Sequence, residues 1–288
     1  MRLALGTAQF GLDYGVANSK GKVKPDQVKS ILAYAAVHGV DTLDTAIAYG
    51  DSERCLGEVG VAGWEIVSKL PTPPQTSGQV DEWVRTSLFG SLRRLHVPKL
   101  KGVLLHRSQD LLGSYGKRLY QAITSLKEQK LVEKIGVSIY DPAELDALWS
   151  DYRFDLIQVP FNILDRRIVS SGWLERLSLA GVEVHARSAF MQGLLLMPAS
   201  TRPKKFQRWQ PLWQEWDNWL AGQGISALQA CLGFVLGQSE ISRVVVGVDS
   251  LDQLQEILSW SPELNRLPPL DLYSADEDLI NPSRWSLL

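Results

Sequence analysis

The chain has 288 residues, 45% hydrophobic and 22% charged, which suits one large barrel or two ordinary domains with ample material for a core. A net charge of −2 and a pI near 6.1 exclude a global field that favours nucleic acid or an acidic membrane, so a small molecule is the expected partner. Two cysteines, Cys55 and Cys231, exclude a disulfide framework; residues 1–10 lack the pattern of a secretory leader, and no apolar run approaches the ~20 residues of a membrane span. A cytoplasmic monomer is expected.

Short strands are predicted at Leu3–Leu5, Thr42–Asp44, Glu65–Lys69, Gly102–His106, Lys134–Ser138, Leu156–Pro160, Val182–Ala186 and Val244–Gly247. Helical periodicity falls between and after them, at 26–38, 51–58, 79–95, 118–130, 142–150, 170–180, 225–237 and 250–259. Asp51 or Ser52, and Asp141 before Pro142, are candidate caps, while Gly39, Gly181 and Gly237 follow helices as stop signals. Strict strand–helix alternation without a linker predicts a single α/β domain, a (β/α)8 TIM barrel. An open doubly wound sheet would carry Gly-x-Gly-x-x-Gly after its first strand, where this chain has Gly6-Thr7-Ala8-Gln9-Phe10-Gly11.

The longest departure from alternation is 194–224, expected to be a functional loop or lid. It contains Pro198, Pro203 and Pro211, the cations Arg202, Lys204, Lys205 and Arg208, and Trp209, Trp213, Trp216 and Trp219. On a helix those indoles share one face, either packing the barrel rim or lining a substrate pocket.

Asp44, Lys69 and His106 close the second, third and fourth predicted strands, and Tyr49 follows Asp44 on the next loop. Barrel active sites lie at the carboxyl ends of the strands, so adjacent strands would gather these four side chains. An unperturbed phenol, with a pKa near ~10, is a weak proton donor at neutral pH. Lys69 beside Tyr49 would acidify it, Asp44 would keep Lys69 charged, and His106 would orient a carbonyl oxygen. His38, His96 and His185 read as structural, and no metal site is expected.

Leu43-Asp44-Thr45-Ala46-Ile47-Ala48-Tyr49-Gly50, followed by a strand-end lysine and a strand-end Leu-His, resembles the aldo-keto reductase superfamily. Ile135-Gly136-Val137-Ser138, Gln158 with Phe161-Asn162, the segment Ala186–Leu195, and Val246-Gly247 with Ser250, Asp252, Gln253 and Leu254 are similar to its later motifs. The resemblance implies NAD(P)H-dependent reduction of an aldehyde, ketone or sugar carbonyl, with the tetrad on Asp44, Tyr49, Lys69 and His106. It also implies a cofactor set of Gly6, Thr7, Ser138, Gln158, Asn162, Arg187, Ser188, Phe190, Gln192, Gly193, Gly247, Val248, Asp249, Ser250 and Gln253. Ser138, Gln158 and Asn162 would hold the nicotinamide carboxamide. The alternative is a non-catalytic cofactor sensor or accessory subunit; a barrel hydrolase would need a nucleophile elbow or metal spacing that the chain does not show.

Three departures from the family pattern stand out. Arg187 occupies a position often held by an aromatic that stacks on nicotinamide. Asp249 stands where a cation often meets the 2′-phosphate of NADPH, and Ile257 where an asparagine near the adenine is common. NADPH is the expectation from family habit, with Arg243 or the Lys204–Arg208 cluster supplying charge, and NADH is the alternative. The chain starts directly at the first barrel strand, so the floor-closing hairpin of many relatives is expected to be missing.

Overall fold

The computed structural model describes residues 1–74, 79–261 and 266–288. The apolar segments form β1 (Leu3–Gly6), β2 (Thr42–Asp44), β3 (Glu65–Leu70), β4 (Leu100–Leu105), β5 (Val132–Ser138), β6 (Leu156–Pro160), β7 (Glu183–Arg187) and β8 (Arg243–Gly247). They pair in parallel and in sequence order into a closed barrel, with β1 meeting β8 at Gly6↔Gly247 and β2 at Gly6↔Asp44. This is the (β/α)8 barrel that the alternation predicts. Side chains alternate across each strand, so one set packs outward and the other fills the barrel. Val67, Leu104 and Leu156 form a separate apolar cluster inside it. Gly136 allows close strand approach there: a Cβ on it would lie 1.8 Å from Leu156 O.

The surrounding helices are α1 (Pro25–Val37), α2 (Ser52–Val59), α3 (Val80–Leu95), α4 (Gly116–Glu128), α5 (Ala143–Leu148), α6 (Arg167–Ser170), α7 (Trp173–Leu179), α8 (Gln210–Gln223), α9 (Ala227–Leu236), α10 (Leu251–Leu258) and α11 (Glu277–Ile280). Helix 170–180 is instead α6 and α7, separated by Gly172 with φ +76. Capping also differs in detail. Neither Asp51 nor Ser52 caps α2 through its side chain; Ser52 Oγ donates to Thr7 O at 2.8 Å, tying α2 to β1. Asp141 Oδ1 accepts from Ala143 N at 2.8 Å and starts α5 as expected.

The 194–224 stretch is mostly helical, with 3-10 turns at Leu194–Leu196, Ala199–Thr201 and Lys204–Trp209 leading into α8. Its indoles pack: Trp213 and Trp216 are 1% and 0% exposed, and their N–H groups donate to Phe206 O and Leu195 O. A buried indole needs such a partner, and here main-chain carbonyls provide it.

Charge ties the amino-terminal rim of the barrel together. Glu65 pairs with Lys101, Lys134 with Glu183, and Arg243 with Asp41. His185 is buried inside β7 with Nε2 2.7 Å from Glu183 Oε1. His38 caps its own helix through Tyr34 O at 2.8 Å, and His96 contacts Gly57 O at 3.0 Å. Among the described residues, no group of three or more His, Cys, Asp and Glu side chains is arranged to hold a metal, and no single helix is long and apolar enough to cross a membrane.

Candidate active site at the carboxyl rim of the barrel

β2 ends on Asp44, β3 carries Lys69 at its penultimate position, and His106 follows β4 directly. Asp44 and Lys69 are 3% and 1% exposed. Lys69 Nζ donates to Asp44 Oδ1 at 2.7 Å and to Thr45 O at 2.9 Å. Gln158 Nε2 donates to the other carboxylate oxygen, Oδ2, at 2.7 Å. Tyr49 is delivered by the turn after β2, where its N–H bonds to Ala46 O at 3.0 Å. That turn presses against the loop after β1: a Cβ on Gly11 would lie 1.9 Å from Tyr49 O, and one on Gly50 2.5 Å from Gly11 O. Gly50 also has φ +55, so glycine is required on both sides of this contact.

Lys69 Nζ lies 5.1 Å from the Tyr49 ring centroid, and the His106 ring meets Tyr49 edge-on with centroids 5.8 Å apart. The four predicted side chains therefore converge. Their electrostatics differ from the expectation. Burial, followed by the Asp44 carboxylate, raises the Tyr49 pKa, while Arg187 pulls it down. Lys69 is aimed at Asp44 and Thr45, so the cation opposing that rise is one not assigned this task in the sequence. Burial also lowers the Lys69 pKa, against the pull of Asp44. His106 is pushed down to about 4, by burial first and then by Lys69. At neutral pH the site thus presents a protonated phenol and a neutral imidazole.

The expected cofactor positions ring the same mouth. Ser138 is buried at the end of β5, opposite Gln158 in register. Gln158 Oε1 is buried without a hydrogen-bond partner. Asn162 is more committed: Oδ1 accepts from Leu164 N and Asp165 N at 2.9 Å, and Nδ2 donates to Ser188 O at 3.2 Å. The segment after β7 has left-handed backbone at Ser188, Met191, Gln192 and Gly193, with Phe190 packed beneath. Gln192 Nε2 bonds to the Tyr14 hydroxyl at 3.2 Å, and a Cβ on Gly193 would lie 2.5 Å from Ala17 Cβ.

Gly6 lies on the β1–β8 seam, while Thr7 is fully buried and its hydroxyl donates to Asp44 O at 3.0 Å. Gln9 covers Gly247, and Val248 is buried. Asp249 N donates to Gln253 Oε1 at 2.7 Å, and Ser250 caps α10 by accepting from Gln253 N. Asp249 Oδ1 is buried without a partner, and burial raises the carboxyl pKa.

Several cations expected to serve a 2′-phosphate, and Arg202 beside them, are engaged by partners within the protein. Arg243 opens β8 and pairs with Asp41 at the opposite rim. Arg202 pairs with Asp217, Lys205 donates to Trp285 O, and Arg208 pairs with Asp276 and Asp278. Tyr14 and Tyr140, whose only sequence cue is a position on the loops after β1 and β5, also reach this mouth.

A sequence profile described as the aldo/keto reductase family matches residues 2–271. The chain belongs to the aldo/keto reductase family and is an NAD(P)H-dependent oxidoreductase. No curated protein sequence matches significantly. Among solved structures it is similar to aldo-keto reductase AKR11C1 from Bacillus halodurans, with TM-score 0.71, 18% identity and 94% of each chain covered. Glycerol dehydrogenase AKR11B4 from Gluconobacter oxydans gives TM-score 0.68 and 22% identity over 90% of this chain and 87% of that one. A Pseudomonas aeruginosa protein assigned as an aldo-keto reductase gives TM-score 0.68 and 23% identity, covering 92% and 91%. At these identities the likeness speaks to the fold.

Proposed function

We propose that this site reduces a carbonyl group with Tyr49 as proton donor. The observation carrying the reading is Asp44 held between Lys69 and Gln158 beside Tyr49. A nicotinamide held at this mouth would supply the hydride that the carbonyl carbon accepts. As that C–O double bond opens, the Tyr49 hydroxyl gives its proton to the oxygen, and the resulting phenolate is reprotonated from solvent. Neutral His106 orients the oxygen by hydrogen bonding. An ammonium has three N–H donors, and Asp44 and Thr45 take two from Lys69. The cation acting on the phenolate is Arg187, whose charge stabilises it.

The residues present fit a nicotinamide cofactor. Gln158 Oε1 and Asp249 Oδ1 are buried acceptors without donors. A carboxamide NH2 would satisfy the first and a ribose hydroxyl the second. Asp249 would repel a 2′-phosphate, and of the cations expected to offset it Arg243, Lys205 and Arg208 are engaged by partners within the protein. These observations support NADH over the NADPH expected from family habit.

Titration with each dinucleotide, followed by quenching of the ten tryptophans, tests the reading together with turnover of a simple aldehyde. NADH binding about tenfold tighter, a difference of about 1.4 kcal/mol, is expected. The reverse order would restore NADPH. Binding without turnover would favour the sensor reading, and binding of neither would end both.

A further inference from the structure

We propose that the substrate carries an anionic group, a carboxylate or phosphate, which Arg187 binds next to the reacting carbonyl; this rests on the carbonyl-reductase reading above. Arg187 is the last residue of β7, half-buried at the carboxyl rim and paired in register with Pro160. Its guanidinium lies against the Tyr140 ring, 4.4 Å from the centroid, and donates to Ile139 O at 3.0 Å and Ser188 Oγ at 3.2 Å. Those contacts fix the orientation of the fork, yet all three partners are neutral. Among the described residues no carboxylate pairs with it. Arg94, Arg167 and Arg202, by contrast, are each met by an acid, Glu53, Asp165 and Asp217.

Asp44 is the acid nearest the chemistry, and both its oxygens are already engaged, by Lys69 and by the Gln158 amide. One carboxylate thus faces two cations, and the surplus positive charge sits on Arg187. The field of Arg187 reaches Tyr49, His106, Lys69 and Tyr14, so the guanidinium belongs electrostatically to the reacting centre. Exposed Arg107, beside His106, adds to the same field. A planar guanidinium with unused N–H donors matches carboxylate and phosphate oxygens in two-point contact. Partial burial strengthens that contact relative to bulk water.

The test compares kcat/KM for 4-formylbenzoate with that for its neutral methyl ester, and for glyceraldehyde 3-phosphate with that for glyceraldehyde. Either acid is expected to be favoured by about tenfold or more, and the pair showing the larger ratio tells carboxylate from phosphate. In Arg187→Met each ratio should fall to near one, whatever the absolute rates, and Arg187→Lys should recover part of it. Isothermal titration of 4-formylbenzoate and its ester into the protein saturated with oxidised cofactor gives the same comparison without turnover. Reduction of the neutral aldehydes with ratios near one in the wild type overturns the inference and leaves the reductase reading standing. Ratios that survive Arg187→Met place the anion site elsewhere and overturn it too. Unchanged ratios together with weakened cofactor binding would assign Arg187 to the cofactor. If no aldehyde is reduced, the reductase reading fails, and equal titration affinities for acid and ester then overturn the inference on its own terms.

Discussion

Gln158 donates from Nε2 to Asp44 Oδ2 at 2.7 Å, across the barrel interior from β6 to β2. This bond completes the acid, whose other oxygen accepts from Lys69, and turns Gln158 so that Oε1 is buried and partnerless. One side chain therefore links the proton-handling group to the expected carboxamide position. Gln158→Leu removes both roles. Cofactor affinity should weaken by about tenfold or more, the scale of one or two buried hydrogen bonds, and turnover should fall as well. Fluorescence titration of the variant measures the first effect. Wild-type affinity would show that Oε1 meets no cofactor donor.

Tyr49→Phe isolates the proton donor. The ring remains to pack against His106 and beside Lys69, and only the hydroxyl is lost. General acid catalysis contributes about 10²–10⁴-fold, and kcat should drop by that order. Cofactor Kd should change by no more than about twofold, since the assigned donor acts on the substrate oxygen. A variant turning over at ordinary rates would transfer the proton role to His106.

His106 sets a second, pH-dependent test. Burial and Lys69 hold the folded-state pKa at about 4, below the ordinary 6.5. The folded protein therefore binds this proton less readily than the unfolded chain. Stability from this group is complete above pH 6.5 and is lost as pH falls towards about 4. For activity, a neutral imidazole persists across the physiological range. The kcat/KM for an uncharged aldehyde should stay level from about pH 8 to about pH 5 and decline below that. An acid limb centred near 6.5 would mean that the ring titrates as if solvated.

The tetrad is legible in the sequence because Asp44, Lys69 and His106 close strand-like runs and Tyr49 follows the first of them on a short turn. Strand order then makes their meeting unavoidable. The Gln158–Asp44 bond spans 114 residues and joins strands that are not neighbours, so no local pattern reports it. The barrel's two rims are also hard to tell apart before register is known. Arg243 is close in sequence to Asp249 yet pairs with Asp41 at the other end of its strand. In 194–224, Pro211 reads as a loop residue but occupies the first turn of α8, where proline lacks no required donor.

The tryptophans of that segment allow a clean separation of packing from specificity. Trp213 and Trp216 are fully buried, with indole N–H groups bonded to Phe206 O and Leu195 O. Replacing either by alanine should cost about 3–5 kcal/mol in denaturant unfolding, the range for a large aromatic removed from a core. Relative kcat/KM across a panel of aldehydes should hold steady. A changed substrate order at unchanged stability would put these rings in the pocket instead.

Asp44 and Lys69 form a buried pair, 2.7 Å apart and 3% and 1% exposed, and losing either half strands the other. Asp44→Asn leaves a buried ammonium without its counter-charge, and Lys69→Met leaves a buried carboxylate held only by Gln158. Each single change should destabilise the fold by about 3–5 kcal/mol, because the remaining charge stays desolvated. The double variant leaves neither charge behind. It should be less destabilised than the sum of the singles, giving a coupling of about 1–3 kcal/mol in a double-mutant cycle of urea midpoints. All three variants should lose carbonyl reduction, so stability rather than rate carries the information. Additive losses would mean that the two groups are stabilised separately, by Thr45 O and Gln158, and that their mutual attraction contributes little to holding Lys69 beside Tyr49.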